Sequence, residues 1–236
     1  MQQTSLTDSS QESNNFFPPL RGDQRGVFIG KTGSGKSYTA RYMLKLMRQA
    51  GWRVVIIDPK KDWQGKQDEK RPYGEKKKGG TIDNPVLVSE FDPTLKVQII
   101  HPVVWNKGLA NFLMAIMYTG NTVIYFDEGT QLVNANFVPM EFMVVVTQGR
   151  SVNVAVWYGT QRPVGIPRII KDQASFILLF RVTDPEDIQV VKAYMSAWNM
   201  EDENFSTPLD WYWFWYYEEH MEKPILVRPL TIKSAA

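Results

Sequence analysis

The residues Gly30 to Ser37, GKTGSGKS, satisfy G-x-x-x-x-G-K-[ST], a spacing suited to holding phosphate. Gly30, Gly33 and Gly35 let backbone N–H groups turn toward phosphate oxygens, and the helix expected to begin here adds a favourable dipole. Lys31, Thr32, Ser34 and Tyr38 complete the cradle by position. Lys36 is long enough to reach β and γ phosphates, and Ser37 is placed to ligate Mg²⁺. A second group of chemical interest is Thr122 to Glu128, TVIYFDE, an apolar run ending in two carboxylates. Successive side chains on a strand point to opposite faces unless the chain turns, so each carboxylate can have its own task. Asp127 fits an outer-shell partner of Mg²⁺, and Glu128 fits the residue that orients and polarises an attacking water. That division of labour favours hydrolysis of a nucleoside triphosphate such as ATP over transfer to a small acceptor.

A third stretch, Gly149 to Pro163, reads GRSVNVAVWYGTQRP, with Arg150 at one end of an apolar run and Gln161 at the other. The run predicts a strand over Val152 to Tyr158 beside the first two motifs. Gln161 is then placed to contact the γ-phosphate or its water and to distinguish ATP from ADP. Arg150, at the far end, cannot reach the same nucleotide. It is either a cation complementing a helix C-terminus or a guanidinium offered to the nucleotide of an adjacent subunit.

These residues need a scaffold, and the chain supplies its pattern. Short runs rich in Val and Ile recur at Val27 to Ile29, Val54 to Ile57, Val97 to Ile100, Thr122 to Phe126, Val152 to Tyr158 and Phe176 to Phe180. Such runs fit strands covered on both faces. Between the first two lies a helix with Ala40, Met43, Leu44 and Met47 on one face. Further helices are expected over Gly108 to Tyr118, Pro139 to Arg150 and Pro185 to Met195. The alternation predicts an α/β, three-layer sandwich with a mainly parallel central sheet. Residues 1–19 read as a flexible polar tail and residues 20–236 as one domain. Within it, 60–80 reads as an exposed Lys-rich loop, either a solvated surface or a contact to nucleic-acid phosphates. Residues 211–230, which begin with WYWFWYY, read as an aromatic hairpin; base stacking or docking to a partner surface is the alternative.

Composition excludes several other chemistries. The 27 basic and 25 acidic side chains nearly cancel, so a charged partner must be met by a local patch. With no cysteine there is no disulfide and no thiolate nucleophile, and His101 and His220 are too few for a convincing metal cluster. The longest apolar runs fall far short of the roughly 20 residues a membrane-spanning helix needs, and the N-terminus has no apolar signal core. An intracellular soluble protein is the expectation.

Taken together, GKTGSGKS, IIDPKKDW (Ile56 to Trp63), YFDEG (Tyr125 to Gly129) and GRSVNVAVWYGTQRP resemble the FtsK/HerA superfamily of hexameric DNA-translocating ATPases. The resemblance runs from about Gly26 to Arg181 and implies a RecA-like domain of the additional-strand, catalytic-glutamate class. It implies ATP and Mg²⁺ on Lys36 and Ser37, hydrolysis by Asp127 and Glu128, a sensor at Gln161 and a trans-acting arginine at Arg150. Arg181 stands as a second candidate near a subunit interface. Asp58 and Lys60 match a second-strand acidic motif of the family. The small size is most similar to the genome-packaging ATPases of icosahedral viruses with internal membranes. The implied partners are double-stranded DNA, further copies in a hexameric ring, capsid or portal-vertex proteins and, peripherally, a viral membrane. The implied location is the host cytoplasm and the virion vertex. A phage assembly or secretion motor and a nucleotide-gated component of a capsid vertex are the competing readings.

Overall fold

A computed structural model describes residues 20–63, 66–67, 80–195 and 209–230. The 1–19 segment and most of the 60–80 segment therefore lie outside the described residues. In the order of the chain the strands are β1 (Arg25–Ile29), β2 (Arg53–Ile57), β3 (Lys66–Gln67), β4 (Val86–Leu87), β5 (Val97–Ile100), β6 (Thr122–Phe126), β7 (Val154–Thr160), β8 (Phe176–Leu179), β9 (Phe214–Glu218) and β10 (Ile225–Val227). The helices are α1 (Lys36–Gln49), α2 (Lys107–Thr119), α3 (Met140–Gln148), α4 (Arg168–Asp172) and α5 (Pro185–Met195). Among the described residues the strands form one sheet in the order β10-β9-β8-β1-β7-β6-β2-β5-β4-β3. Every pairing from β8 to β3 is parallel, and β9 and β10 add an antiparallel hairpin at one edge. β7 stands between the strand that leads into the phosphate loop and the strand that ends in the carboxylates. This is the additional-strand arrangement that the resemblance implied.

The central strands read as continuous apolar runs because both faces are covered. Along β1, β2 and β6, alternate residues enter different cores. Val27, Val55, Ile57, Ile124 and Phe126 pack with Leu113 of α2 and Phe142 of α3. Phe28, Val54, Ile56, Val123 and Tyr125 pack with Ala40, Met43, Leu44 and Met47 of α1. These two cores, one on each face of the sheet, join it to the helices and give three layers.

Two elements differ from the sequence reading. β7 begins at Val154, two residues later than expected, because residues 149–152 make a 3-10 turn that ends at Asn153 with φ 55°. Arg150 therefore lies on that turn and not on the strand. The aromatic run also divides. Phe214 and Tyr216 of β9 are buried on the α1 side, while Trp211 and Tyr212 stay outside the strand, 51% and 53% exposed. Tyr212 breaks the strand with φ 70°.

Candidate active site

Parallel strands end on one side of a sheet, so the segments following β1, β2, β6, β7 and β8 converge. The loop after β1 is pinned by its neighbours: the Gly30 amide donates to the Thr160 carbonyl at 3.1 Å and the Lys31 amide to the Arg181 carbonyl at 3.1 Å. Gly35, at φ 101°, turns the chain into α1, where Cβ-bearing residues would be strained. Thr39 is the first amide of α1 bonded within the helix, to Gly35. The amides of Lys36, Ser37 and Tyr38 therefore have no acceptor inside the helix. No side chain caps this end and no acid stands in the first turn, so the exposed dipole is left for an anion. Ser34 braces the loop from within. Its amide donates to the Lys31 carbonyl at 3.2 Å and its side chain is buried within the loop.

The carboxylates lie beside this loop. Glu128 has φ 54°, so the chain turns immediately after β6 and brings both acids to one amine. Lys36 Nζ lies 2.8 Å from Glu128 Oε1 and 3.4 Å from Asp127 Oδ1, with all three side chains buried. Such a lysine needs a buried counter-charge when no phosphate is near it. Ser37 Oγ is 3.3 Å and 3.4 Å from the two oxygens of Asp127. A serine hydroxyl beside a carboxylate and an anion cradle is a hard-oxygen donor set that fits Mg²⁺, which takes one or two protein oxygens and completes its shell from phosphate and water.

Two aromatic side chains fix Asp127. Trp63 Nε1 donates to Oδ2 at 2.6 Å, and the Tyr125 hydroxyl donates to Oδ1 at 3.1 Å. Burial raises the Tyr125 pKa well above its ordinary range and the Asp127 charge raises it further, so the phenol remains a donor. Lys60, Lys61 and Asp62 are exposed, as expected of the lysine-rich segment, but Trp63 within it is 1% exposed. The physical reason is Asp58. Its carboxylate accepts from the amides of Lys60 and Lys61 at 3.0 Å each and from Trp63 at 2.8 Å, folding residues 59–63 back onto the site. Asp58 is thus a loop anchor, and burial, the largest cause, holds its pKa above 3.8, with repulsion from Asp127 adding to it. The same fold-back brings Lys60 Nζ to 3.6 Å from Glu128 Oε2. Arg41 lies over the Trp63 ring at 4.5 Å.

Gln161 follows the last residue of β7. Its amide lies 3.3 Å from Glu128 Oε2 and its Oε1 accepts from Thr32 Oγ1 at 2.8 Å. Lys36, Ser37, Asp127, Glu128, Gln161 and the 30–38 loop are accordingly brought together. Arg150 is not: it lies before β7, at the other end of the sheet, 58% exposed, with Nε 3.9 Å from Asp23 Oδ2. Arg181 lies beside the phosphate loop. Its carbonyl holds the phosphate loop of its own chain, and its guanidinium lies 5.3 Å from the Trp211 ring centroid.

Sequence reasoning missed Trp63 and Tyr125 as partners of Asp127, and it missed Arg25. Arg25 is buried, and its Nε donates to the Val146 carbonyl at 2.8 Å, near the C-terminus of α3. Tyr125 carried a usable signal, since a phenol inside a fully buried strand requires a polar partner.

Comparison with known proteins agrees with this geometry. Residues 26–102 match the family described as helicase HerA, central domain. Over 179 residues the chain is 26% identical to DNA packaging ATPase P9 of Enterobacteria phage PRD1, covering 73% of this chain and 70% of that protein. The genome packaging NTPase B204 from Sulfolobus turreted icosahedral virus 2, in complex with ATP-gammaS, matches with a TM-score of 0.69 at 18% identity, over 90% of this chain and 100% of that one. VirB4 of Thermoanaerobacter pseudethanolicus matches with a TM-score of 0.61 at 12% identity, over 89% and 90%. Residues 26–102 are thus similar to the HerA central domain, the chain as a whole is similar to a phage DNA packaging ATPase, and its fold is that of the RecA-like P-loop packaging NTPases.

Proposed function

We propose that the chain is an ATP-driven motor that moves double-stranded DNA into a preformed viral capsid, acting as a homo-oligomeric ring, a hexamer, at a capsid vertex. The observation that carries the ATPase part is the convergence of Lys36, Ser37, Asp127, Glu128 and Gln161 on the uncapped start of α1. The similarity to DNA packaging ATPase P9 supplies the cargo and the capsid.

The geometry suggests how the residues work. Phosphate arriving at the 30–38 loop offers Lys36 a stronger counter-charge than Glu128, so the amine moves to the β and γ oxygens and releases the carboxylate. Freed on one oxygen and still near Lys60 and the Gln161 amide on the other, Glu128 orients and polarises the attacking water. Ser37 and Asp127 would hold Mg²⁺, with Trp63 and Tyr125 fixing the carboxylate. The ion supplies neutralisation of charge on the phosphate oxygens when bound. Gln161 bridges Thr32 of the phosphate loop and Glu128, which suits a sensor of the γ-phosphate. Its neighbour Arg162 is tied to Asp187 of α5 at 2.8 Å, a route from the sensor to the rest of the fold. Arg150 is too far from its own chain's nucleotide and serves an adjacent subunit.

Replacing the catalytic carboxylate tests the reading. Glu128→Gln should bind ATP as well as wild type but hydrolyse it about 10²- to 10⁴-fold more slowly. It should also fail to package double-stranded DNA into empty capsids. Hydrolysis at near the wild-type rate by this variant would remove Glu128 as the base. Normal packaging with hydrolysis abolished would remove the motor.

A further inference from the structure

Trp211 and Tyr212 are exposed aromatics that the site described above leaves unused, and both touch the phosphate loop. A Cβ placed on Gly33 would lie 3.8 Å from the Trp211 ring, and one on Gly35 would lie 3.0 Å from the Tyr212 ring and 3.3 Å from its backbone. At Gly35 the absence of a Cβ therefore also makes room for Tyr212, while Trp211 reaches ordinary contact distance of Gly33. Trp211 is held by two cations, Lys31 Nζ and Arg181 Cζ, each 5.3 Å from the ring centroid, yet half its surface stays open. Arg181 adds a buried Nε–H with no hydrogen-bond partner. The left-handed backbone of Tyr212 is a strained conformation for a tyrosine, of a kind that persists where surrounding structure or a ligand enforces it.

The order of the sheet decides what such a platform faces. Asp127 and Glu128 follow β6, which lies two strands from β1 on one side; Arg181 follows β8 and Trp211 precedes β9, on the other side. A triphosphate lying across the loop with its γ end at Lys36 and Glu128 points its nucleoside away from the carboxylates, toward β8 and β9. We propose that Trp211, flanked by Tyr212, is the stacking platform for the purine base of the bound nucleotide, with Arg181 Nε–H donating to an oxygen of its sugar or α-phosphate. This assignment rests on the nucleotide-binding reading of the site. It requires an aromatic face and makes no use of hydrogen bonds to the base edge.

Calorimetric titration of the full chain with ATP and, separately, with inorganic tripolyphosphate separates the base from the phosphates. Trp211→Ala should weaken ATP binding by about 10- to 100-fold, the effect of losing one base stack, and leave tripolyphosphate affinity unchanged. Trp211→Phe should restore most of the ATP affinity. Equal weakening toward both ligands would make Trp211 a brace of the loop and overturn the assignment, as would unchanged ATP affinity in Trp211→Ala. If wild-type protein bound neither ligand, the phosphate-site reading itself would fail, and the platform with it.

Discussion

Arg150 can be removed with little consequence for the fold, and that makes it a clean test of a shared active site. Its partner is Asp23, at 3.9 Å, a loose contact in which the arginine side chain is 58% exposed and the half-buried aspartate side chain 36%, worth about 0–1 kcal/mol. Against this stands repulsion. The buried Arg25 guanidinium has its pKa lowered to about 10, first by burial and next by the charge of Arg150. Arg150→Ala relieves that repulsion while losing the pair with Asp23. The alternative role, a cation at the end of α3, is already filled: Arg25 donates to the Val146 carbonyl at 2.8 Å and to the Val145 carbonyl at 3.5 Å. The two stability effects oppose each other, so Arg150→Ala should unfold within about 0.5 kcal/mol of wild type, a shift in Tm of about 2 °C or less. An arginine acting in trans on phosphoryl transfer is worth about 10³-fold or more, roughly 4 kcal/mol of barrier. The assay is the ATPase rate per subunit across protein concentration, with double-stranded DNA, for Arg150→Ala, Lys36→Ala and their mixture. Each single variant should be nearly inactive, and the mixture should regain activity at interfaces that join an intact loop to an intact arginine. Arg150→Ala working within about threefold of wild type would refute the reasoning, as would a loss of activity that tracks a Tm lower by many degrees.

Other perturbations follow from the same contacts. Trp63→Phe removes a 2.6 Å hydrogen bond to a buried carboxylate together with part of a buried ring, and should cost about 3 kcal/mol by chemical denaturation. The same variant should lose Mg²⁺-dependent ATPase activity, whereas unchanged stability and activity would mean that Trp63 does not hold Asp127. Asp58 bears on pH. Its folded pKa is raised above 3.8, so the native state holds this proton more tightly than the unfolded chain, and its contribution to stability is lost as pH rises through the raised value. The Tm of Asp58→Asn relative to wild type should therefore rise as pH increases above about 4, and a difference that stays constant with pH would contradict burial as the cause.

The parts of this site that local sequence dictates were legible. GKTGSGKS announces a phosphate loop by its spacing, and an apolar run ending in Asp127 and Glu128 places two carboxylates at a strand end. The continuous Val and Ile runs gave the covered strands for the same reason. Two-residue strands such as β4 have no period to detect, and β7 is expected two residues too early because Val152 resembles strand sequence while Asn153 turns the chain. Whether Asp127 and Glu128 face opposite ways depends on a turn after the strand, and the left-handed backbone at Glu128, which no local pattern announces, supplies that turn. Trp63 was hidden for a different reason. Its neighbours are charged, and only the three hydrogen bonds to Asp58, made across a tight turn, carry it into the core.

That fold-back has a catalytic consequence through charge. Without nucleotide, Glu128 has two ammonium groups near it, Lys36 on one oxygen and Lys60 on the other. In the proposed mechanism nucleotide binding takes Lys36 away, and the carboxylate would then be left beside Asp127 and the incoming phosphates, all negative. Among the described residues Lys60 is the remaining cation close to it, with its side chain 30% exposed. Its position depends on Asp58 holding the turn, so the second-strand motif and the hydrolytic carboxylate form one unit. Asp58 supplies geometry, Trp63 fixes Asp127, and Lys60 keeps a positive charge beside Glu128 when the phosphate loop is full. The acidic residue after β2 thus acts without touching phosphate, by deciding which side chains of its own loop reach the carboxylates that do.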